Sequence, residues 1–215
     1  MNTQDYDDVF HVDLLEGARF DGEFDYPVIE RTDSVPNAVL PFDKAIAAKD
    51  HDQWVHFFID DKAFMRLWRN PWRYLPILSR FRGCIAPDFS ILWRNPLFLQ
   101  VESVGRSRMV GSWLQRAGVD TIPLVRWGLP ETYRFAFDAV APGSTVAVGT
   151  LGCTKNPAAR KVFSDGVPEL IRRVEPKTIV VYGPLHEDML APALEADVRI
   201  VRFESDTTVK KREVE

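Results

Sequence analysis

This chain has few cysteines, few histidines and no long apolar run, and each shortage narrows what it can be. Two cysteines in 215 residues, Cys84 and Cys153, make neither a disulfide framework nor a closed zinc site, and they suit a reducing compartment. The four histidines, His11, His51, His56 and His186, show no HxH or HxxxH spacing, so a dedicated zinc centre is not expected. No apolar stretch approaches the roughly 18 residues that span a bilayer, and the start MNTQDYDDVFHVD is acidic where a secretory signal is basic and then apolar. A soluble, cytoplasmic protein without a membrane partner is expected. A GxGxxG fingerprint and a complete Walker A motif are also missing, which removes the simplest nucleotide-binding readings.

What is present is enough apolar material, 46% of residues, for one sizeable core. The charge is segregated along the chain. Residues 1–61 carry fifteen acids against four bases, a net −11, while 62–116 carry ten bases against two acids, a net +8. Three readings are open: the acidic segment lies across the basic middle of its own domain, a basic face is left for phosphate-bearing partners, or the two are unrelated solvated surfaces. Residues 1–34 lack a sustained period and read as an acidic arm, yet Phe20, Phe24, Tyr26 and Val28 are anchors that predict packing on the body. Residues 35–206 read as a single β/α domain and 207–215 as a charged tail.

The clearest unit in that domain is Trp54 to Ser90. The run from Trp54 to Ile59 is apolar apart from His56 and stops at Asp60 and Asp61, as a buried strand does when it meets a helix cap. Gly83 to Ala86 repeats the pattern and ends in Pro87, Asp88, Phe89 and Ser90. Between them Asn70 and Pro71 read as a fresh cap followed by proline at the first helical position. Further strands are predicted at 37–40, 121–125, 145–148, 178–182 and 198–203, with helices over 106–117, 130–140, 157–174 and 186–196. Asp43 is expected to cap a helix starting at Lys44, and Gly118 to stop the helix before it.

Strands alternating with helices imply a parallel sheet covered by helices. Two architectures are open. One is a TIM-barrel-like ring of seven or eight strands, favoured because nearly every strand ends in a candidate functional residue; the other is an open doubly wound sheet.

If the ring closes, one rim collects Asp60 or Asp61, Asp88, Arg126, Thr150, Cys153, Lys155, Tyr182, His186, Glu204 and Asp206. Asp88, Asp60 and Glu204 are the candidate acids and bases, because paired carboxylates divide such work when burial separates their pKa values. They are also able to hold a divalent metal through oxygen, and the residues leave open whether one takes part. Arg126 with Trp127 is suited to clamp an anion while the indole stacks on a ring. Thr150, Thr154 and Lys155, in a glycine-bearing loop before a helix, are candidates for binding phosphate, with Tyr182 beside them. Asp61 reads more simply as a helix cap and His56 as a core histidine. Cys153 has no histidine near it in sequence to activate it.

Several of these residues also form a pattern. HFFIDD at 56–61 with Phe64 and Trp68, PDFS at 87–90, Arg106, Arg108 and Gly111 before Trp113, VRWG at 125–128, FAFD at 135–138 and YG at 182–183 together resemble an uncharacterised family, DUF4417. The resemblance covers roughly residues 35–205. It implies a one-domain cytoplasmic protein of a phage or other mobile element and brings no reaction or catalytic residue with it. Two functions from different classes follow. One is an enzyme or former enzyme that binds a phosphorylated small molecule or a nucleic-acid end at the rim. The other is a non-catalytic protein that binds and modulates a host or phage protein.

Overall fold

The architecture is given by a computed structural model, which describes residues 9–205. The candidate Asp206 and the charged tail at 207–215 lie outside the described residues.

Among the described residues, nine strands and seven α-helices follow one another. An N-terminal hairpin, β1 (Phe20–Asp21) and β2 (Tyr26–Pro27), precedes β3 (Val39–Pro41), α1 (Phe42–Ala45) and β4 (Trp54–His56). Then come α2 (Asp61–Arg69), α3 (Pro71–Leu78), β5 (Gly83–Ile85), α4 (Leu97–Arg116) and β6 (Thr121–Ile122). The last part is α5 (Tyr133–Ala136), β7 (Thr145–Gly149), α6 (Pro157–Val174), β8 (Thr178–Tyr182), α7 (Ala191–Glu195) and β9 (Arg199–Phe203).

Strands β3 to β6 form one parallel sheet and β7 to β9 another, each in chain order. The two meet at a parallel bridge between Leu124 and Ala147, where Val125 N–H donates to Ala147 O at 2.9 Å and Ala147 N–H to Pro123 O at 2.9 Å. The expected closed ring is not formed: among the described residues no ladder joins β9 back to β3. Both edges explain this. β3 is three residues long and ends in Pro41, which has no N–H to donate, and β9 carries the exposed Arg199 and Arg202. The open parallel α/β arrangement fits.

One apolar cluster nevertheless draws side chains from both sheets: Trp54 and Phe58, Ile85 and Ala86, Ile122 and Leu124, Ala147, Val180 and Tyr182 are buried together, with Val39 and Phe203 against them. Across it the Phe58 and Tyr182 rings stack with centroids 5.0 Å apart and planes at 7°. A second cluster lies under α1 to α4, where Phe57 meets Phe42 at 5.0 Å and Phe64 at 5.7 Å, and Phe64 meets Phe89 at 5.2 Å. Each such ring, fully removed from water, contributes about 1.5–3 kcal/mol.

The N-terminal segment crosses outside α4 and under the strands. Tyr26 O–H donates to Val101 O at 2.9 Å, and Ser112 Oγ donates to Val28 O at 2.7 Å. Gly111 allows the approach, since a Cβ there would stand 2.5 Å from Ile29 Cδ1. Ile29, wholly buried, bridges Val140, and Thr32 binds Asp120 Oδ1 at 3.1 Å at the amino end of the sheet.

Some local expectations shift. Asp43 does not cap: α1 starts at Phe42, with Pro41 at its N-cap and no side-chain bond there. The cap of α2 is Asp60, accepting from Lys62 N–H at 2.9 Å, and not its neighbour Asp61. Asn70 caps α3 as its sequence implies, accepting from Arg73 N–H at 3.3 Å. Helix α4 begins at Leu97, well before Arg106, because Pro96 sets the extended N-cap geometry that releases a helix at once.

Candidate functional site

The carboxyl ends of β4 to β7 converge on one ion pair. Asp88, three residues past β5, is 6% exposed, and Arg126, four residues past β6, reaches it through two nitrogens. Arg126 Nε donates to Oδ1 at 2.5 Å and Nη2 donates to Oδ2. Burial lifts the Asp88 carboxyl above its usual range; Arg126 opposes that lift and Asp61 adds to it. Burial also works against the Arg126 charge, but Asp88 more than offsets it, so the guanidinium is held as a cation. Asp61 faces inward from the start of α2 and is itself engaged, accepting from Ser90 N–H at 3.1 Å and Ser90 Oγ at 2.8 Å.

Beside the pair is a cavity of about 110 Å³. It is lined by Val125 to Gly128 and Gly149 at the strand ends, by Ile91 and Trp93, by Ala158, Ala159, Val162 and Phe163 of α6, and by Cys153. Gly149 is required there, because a Cβ would come within 2.8 Å of the Phe58 ring and 3.1 Å of Arg126 Nη2. Burial raises the Cys153 thiol above its ordinary pKa, with Arg126 pulling it down and Asp88 pushing it up, so it is not an activated thiolate. Behind Arg126 a void of about 10 Å³ beside Ser107 has room for no more than one water.

Asp60 is exposed and serves as the α2 cap. Trp127 is turned into the core: its Nε1 donates to the carbonyls of Val162 at 3.2 Å and Phe163 at 3.1 Å, and its ring lies against Gly166, where a Cβ would be 2.2 Å from Nε1. Thr150 is fully buried and bridges the ends of β7 and β8, with Oγ1 donating to Pro184 O at 2.6 Å. Thr154 is buried and Lys155 is exposed. The first amides of α6 are already capped, since Asn156 Oδ1 accepts from Ala158 N–H at 2.9 Å and Ala159 N–H at 3.4 Å. Tyr182 lies under the rim between Phe58 and His56, the latter 4.3 Å away by ring centroid. His56 is fully buried and accepts from Phe58 N–H through Nδ1 at 3.2 Å. Glu204 is half-buried at the end of β9, and His186 is exposed after β8. The structure thus brings together Asp88, Arg126, Cys153 and Asp61, leaves Asp60 and Lys155 out of the cavity lining, and has Trp127 line the cavity with its indole N–H already bonded to α6. Among the described residues no group of three or more His, Cys, Asp or Glu is placed to hold a metal ion.

Two motif segments away from the rim have structural work. Arg108 is 1% exposed and donates to Asp138 O at 2.9 Å, Leu124 O at 2.6 Å and Ala136 O at 2.9 Å, which ties α4 to the FAFD segment and to the approach of β6 to the rim. Burial lowers its pKa to about 10, with Tyr26 and Asp138 acting in the other direction. Arg106 lies over the Trp68 ring at 4.8 Å and binds Glu102 at 2.5 Å. The cavity itself was not legible in the motifs. Trp93 and the α6 residues gave no sign, and Gly166 was the one trace of an indole packed against α6.

No helix among the described residues is long and apolar enough to cross a membrane. The sequence profile of DUF4417, a domain of unknown function, matches residues 18–202. That match begins inside the N-terminal segment, earlier than the motifs reach, in keeping with the packing of Tyr26 to Thr32 on α4 and the sheet. The chain is 35% identical to the "Gene 1 protein" of Mycobacterium phage L5 over 176 residues, covering 79% of this chain and 76% of that one. It is 36% identical to the "Gene 1 protein" of Mycobacterium phage D29 over 141 residues, 64% of this chain, and spans about half (52%) of that protein. No solved structure matches it. The chain belongs to the DUF4417 family, an uncharacterised family associated with phages.

Proposed function

We propose that the protein is a small-molecule binding protein, a former enzyme in architecture, whose ligand sits at the carboxyl rim of a β/α sheet curled into an incompletely closed barrel. The curl is supported by the single apolar cluster that both sheets share and by the Phe58 and Tyr182 rings that meet across it. One observation carries the binding reading: a cavity lies at the carboxyl edge where α/β proteins hold ligands, while the acids beside it are engaged within the fold. Asp88 is tied to Arg126, Asp61 to Ser90 and Asp60 to its helix, so none stands as a free general base. Binding without turnover is what such a rim supports.

A thermal-shift screen of the whole protein against nucleotides, sugar phosphates, divalent metals, short oligonucleotides and small apolar acids tests this. A ligand at 100 times its dissociation constant adds about 2.7 kcal/mol, a shift of several degrees for a chain of this size. A hit that is lost when Ala159→Phe fills the cavity is the expected result. Turnover of any hit, abolished by Asp88→Asn in a folded variant, would contradict the non-catalytic reading.

The second reading, engagement of a host or phage protein, is favoured by exposed apolar side chains on the segment that sends Trp93 to the cavity: Leu92, Trp93 and Phe98 are 55%, 46% and 68% exposed. It requires that Trp93→Ala with Phe98→Ser abolish an interaction that Ala159→Phe leaves intact.

A further inference from the structure

The cavity is small, apolar and open to one cation, and this combination narrows what it takes. Its about 110 Å³ is of the order of the roughly 150 Å³ apolar cavity that accommodates a benzene ring. Ile91, Val125, Ala158, Ala159, Val162 and Phe163 make most of the wall apolar, with the Trp93 indole and the Cys153 thiol as its neutral polar side chains. Charge comes from Arg126, which binds Asp88 through Nε and Nη2 and makes no hydrogen bond through Nη1 among the described residues. Its charge is balanced by Asp88 at contact distance, and Asp61 is near enough to act on both. Lys155 does not line the cavity. A phosphate ester would bring up to two negative charges to a pair that is already neutral, with no second cation among the described lining residues and mostly apolar walls to dehydrate it. A single acceptor needs only one N–H.

We propose, on the basis of the rim reading above, that the cavity binds a small apolar molecule ending in one hydrogen-bond acceptor, and that it rejects phosphate esters. The apolar part is a single aromatic ring or a branched aliphatic chain of similar size, and the acceptor is a carboxylate or carboxamide directed at Arg126. This departs from the phosphate-binding role expected of Arg126, Thr150, Thr154 and Lys155 from their sequence positions.

Cys153 makes the test direct, because it lines the cavity and is half-buried, whereas Cys84 is fully buried in β5. Alkylation of the native full-length protein by N-ethylmaleimide therefore reports the cavity, with Cys153→Ser as the blank. Benzoate and benzamide are titrated against phenyl phosphate, which keeps the ring and changes only the head group, and against AMP and inorganic phosphate. The expected result is that benzoate or benzamide slows labelling about tenfold at ten times its dissociation constant, while phenyl phosphate at the same concentration does not. Ala159→Phe, compared with itself with and without ligand, loses the protection while keeping a cooperative melt. If phenyl phosphate or AMP protects as well as benzoate, the proposed ligand class is wrong and the rim reading stands. If no probe of either kind protects Cys153, both are overturned.

Discussion

Two arginines are sunk into this fold and are used in opposite ways. Arg108, in the middle of α4, divides its guanidinium among the backbone carbonyls of Leu124, Ala136 and Asp138. Arg126, at the carboxyl edge, gives two nitrogens to one carboxylate and borders a cavity. The contrast separates a joint from a site. Carbonyls are fixed by the chain, so a cation that serves only them cannot exchange a partner without moving backbone. A carboxylate on its own side chain is an adjustable partner, and empty space beside the pair leaves room for a ligand.

Removing each cation should separate the two roles. Arg108→Met orphans three buried carbonyls at once, and at about 1.5–3 kcal/mol for each hydrogen bond from a charged donor the expected loss is about 4 kcal/mol or more in a urea melt. Arg126→Met leaves Asp88 buried without its partner and should cost about 3 kcal/mol. Replacing both members of that pair, Asp88→Leu with Arg126→Met, should return stability to within about 1 kcal/mol of the parent, as buried ion pairs exchanged for apolar groups commonly do. No second substitution should rescue Arg108→Met in the same way, since its partners are main-chain atoms.

Smaller effects sharpen the picture. Gly166→Ala forces a Cβ onto the Trp127 indole, and the overpacking should cost about 2 kcal/mol in the same melt while altering the rate at which Cys153 is alkylated. The Arg108 side carries a pH signature through Tyr26. Burial raises this phenol's pKa, with Arg108 lowering it and Asp138 raising it. Below about pH 10 the phenol is neutral in both states and its contribution is complete; above that, the unfolded tyrosine ionises first and stability falls by up to about 1.4 kcal/mol per pH unit. Tyr26→Phe should flatten that part of the slope between pH 10 and 11, and an unchanged slope would show that Tyr26 is not the group responsible.

Much of the fold was legible because it is written in local signals. The run Thr178 to Tyr182 is a strand as its apolar sequence requires. Asn70 and Pro71 break the helix where a cap and a first-turn proline demand it, and Gly118, with φ +88°, follows the end of α4. The rim was legible in part, since Asp88 and Arg126 do meet across the ends of β5 and β6. What could not be read depends on partners distant in sequence. Asp60 and Asp61 are adjacent acids, and only the direction of the turn decides that Asp60 caps the helix while Asp61 binds Ser90. Trp127 looked free to stack on a ligand because the glycine that admits it into α6 lies far along the chain. Arg108 resembled any helical arginine, because α4 is covered on its outer side by the N-terminal segment, and a helix buried on two sides loses the one-sided pattern that reveals a core face.

The measurement that tests the account most directly is a melt of the Asp88→Leu, Arg126→Met double variant beside Arg108→Met, each with and without benzoate. The expected result is a double variant that melts within a few degrees of the parent but no longer responds to benzoate, and an Arg108→Met protein that melts about 10 °C or more below the parent. A double variant as unstable as Arg108→Met, or one that keeps the full benzoate response, would contradict it.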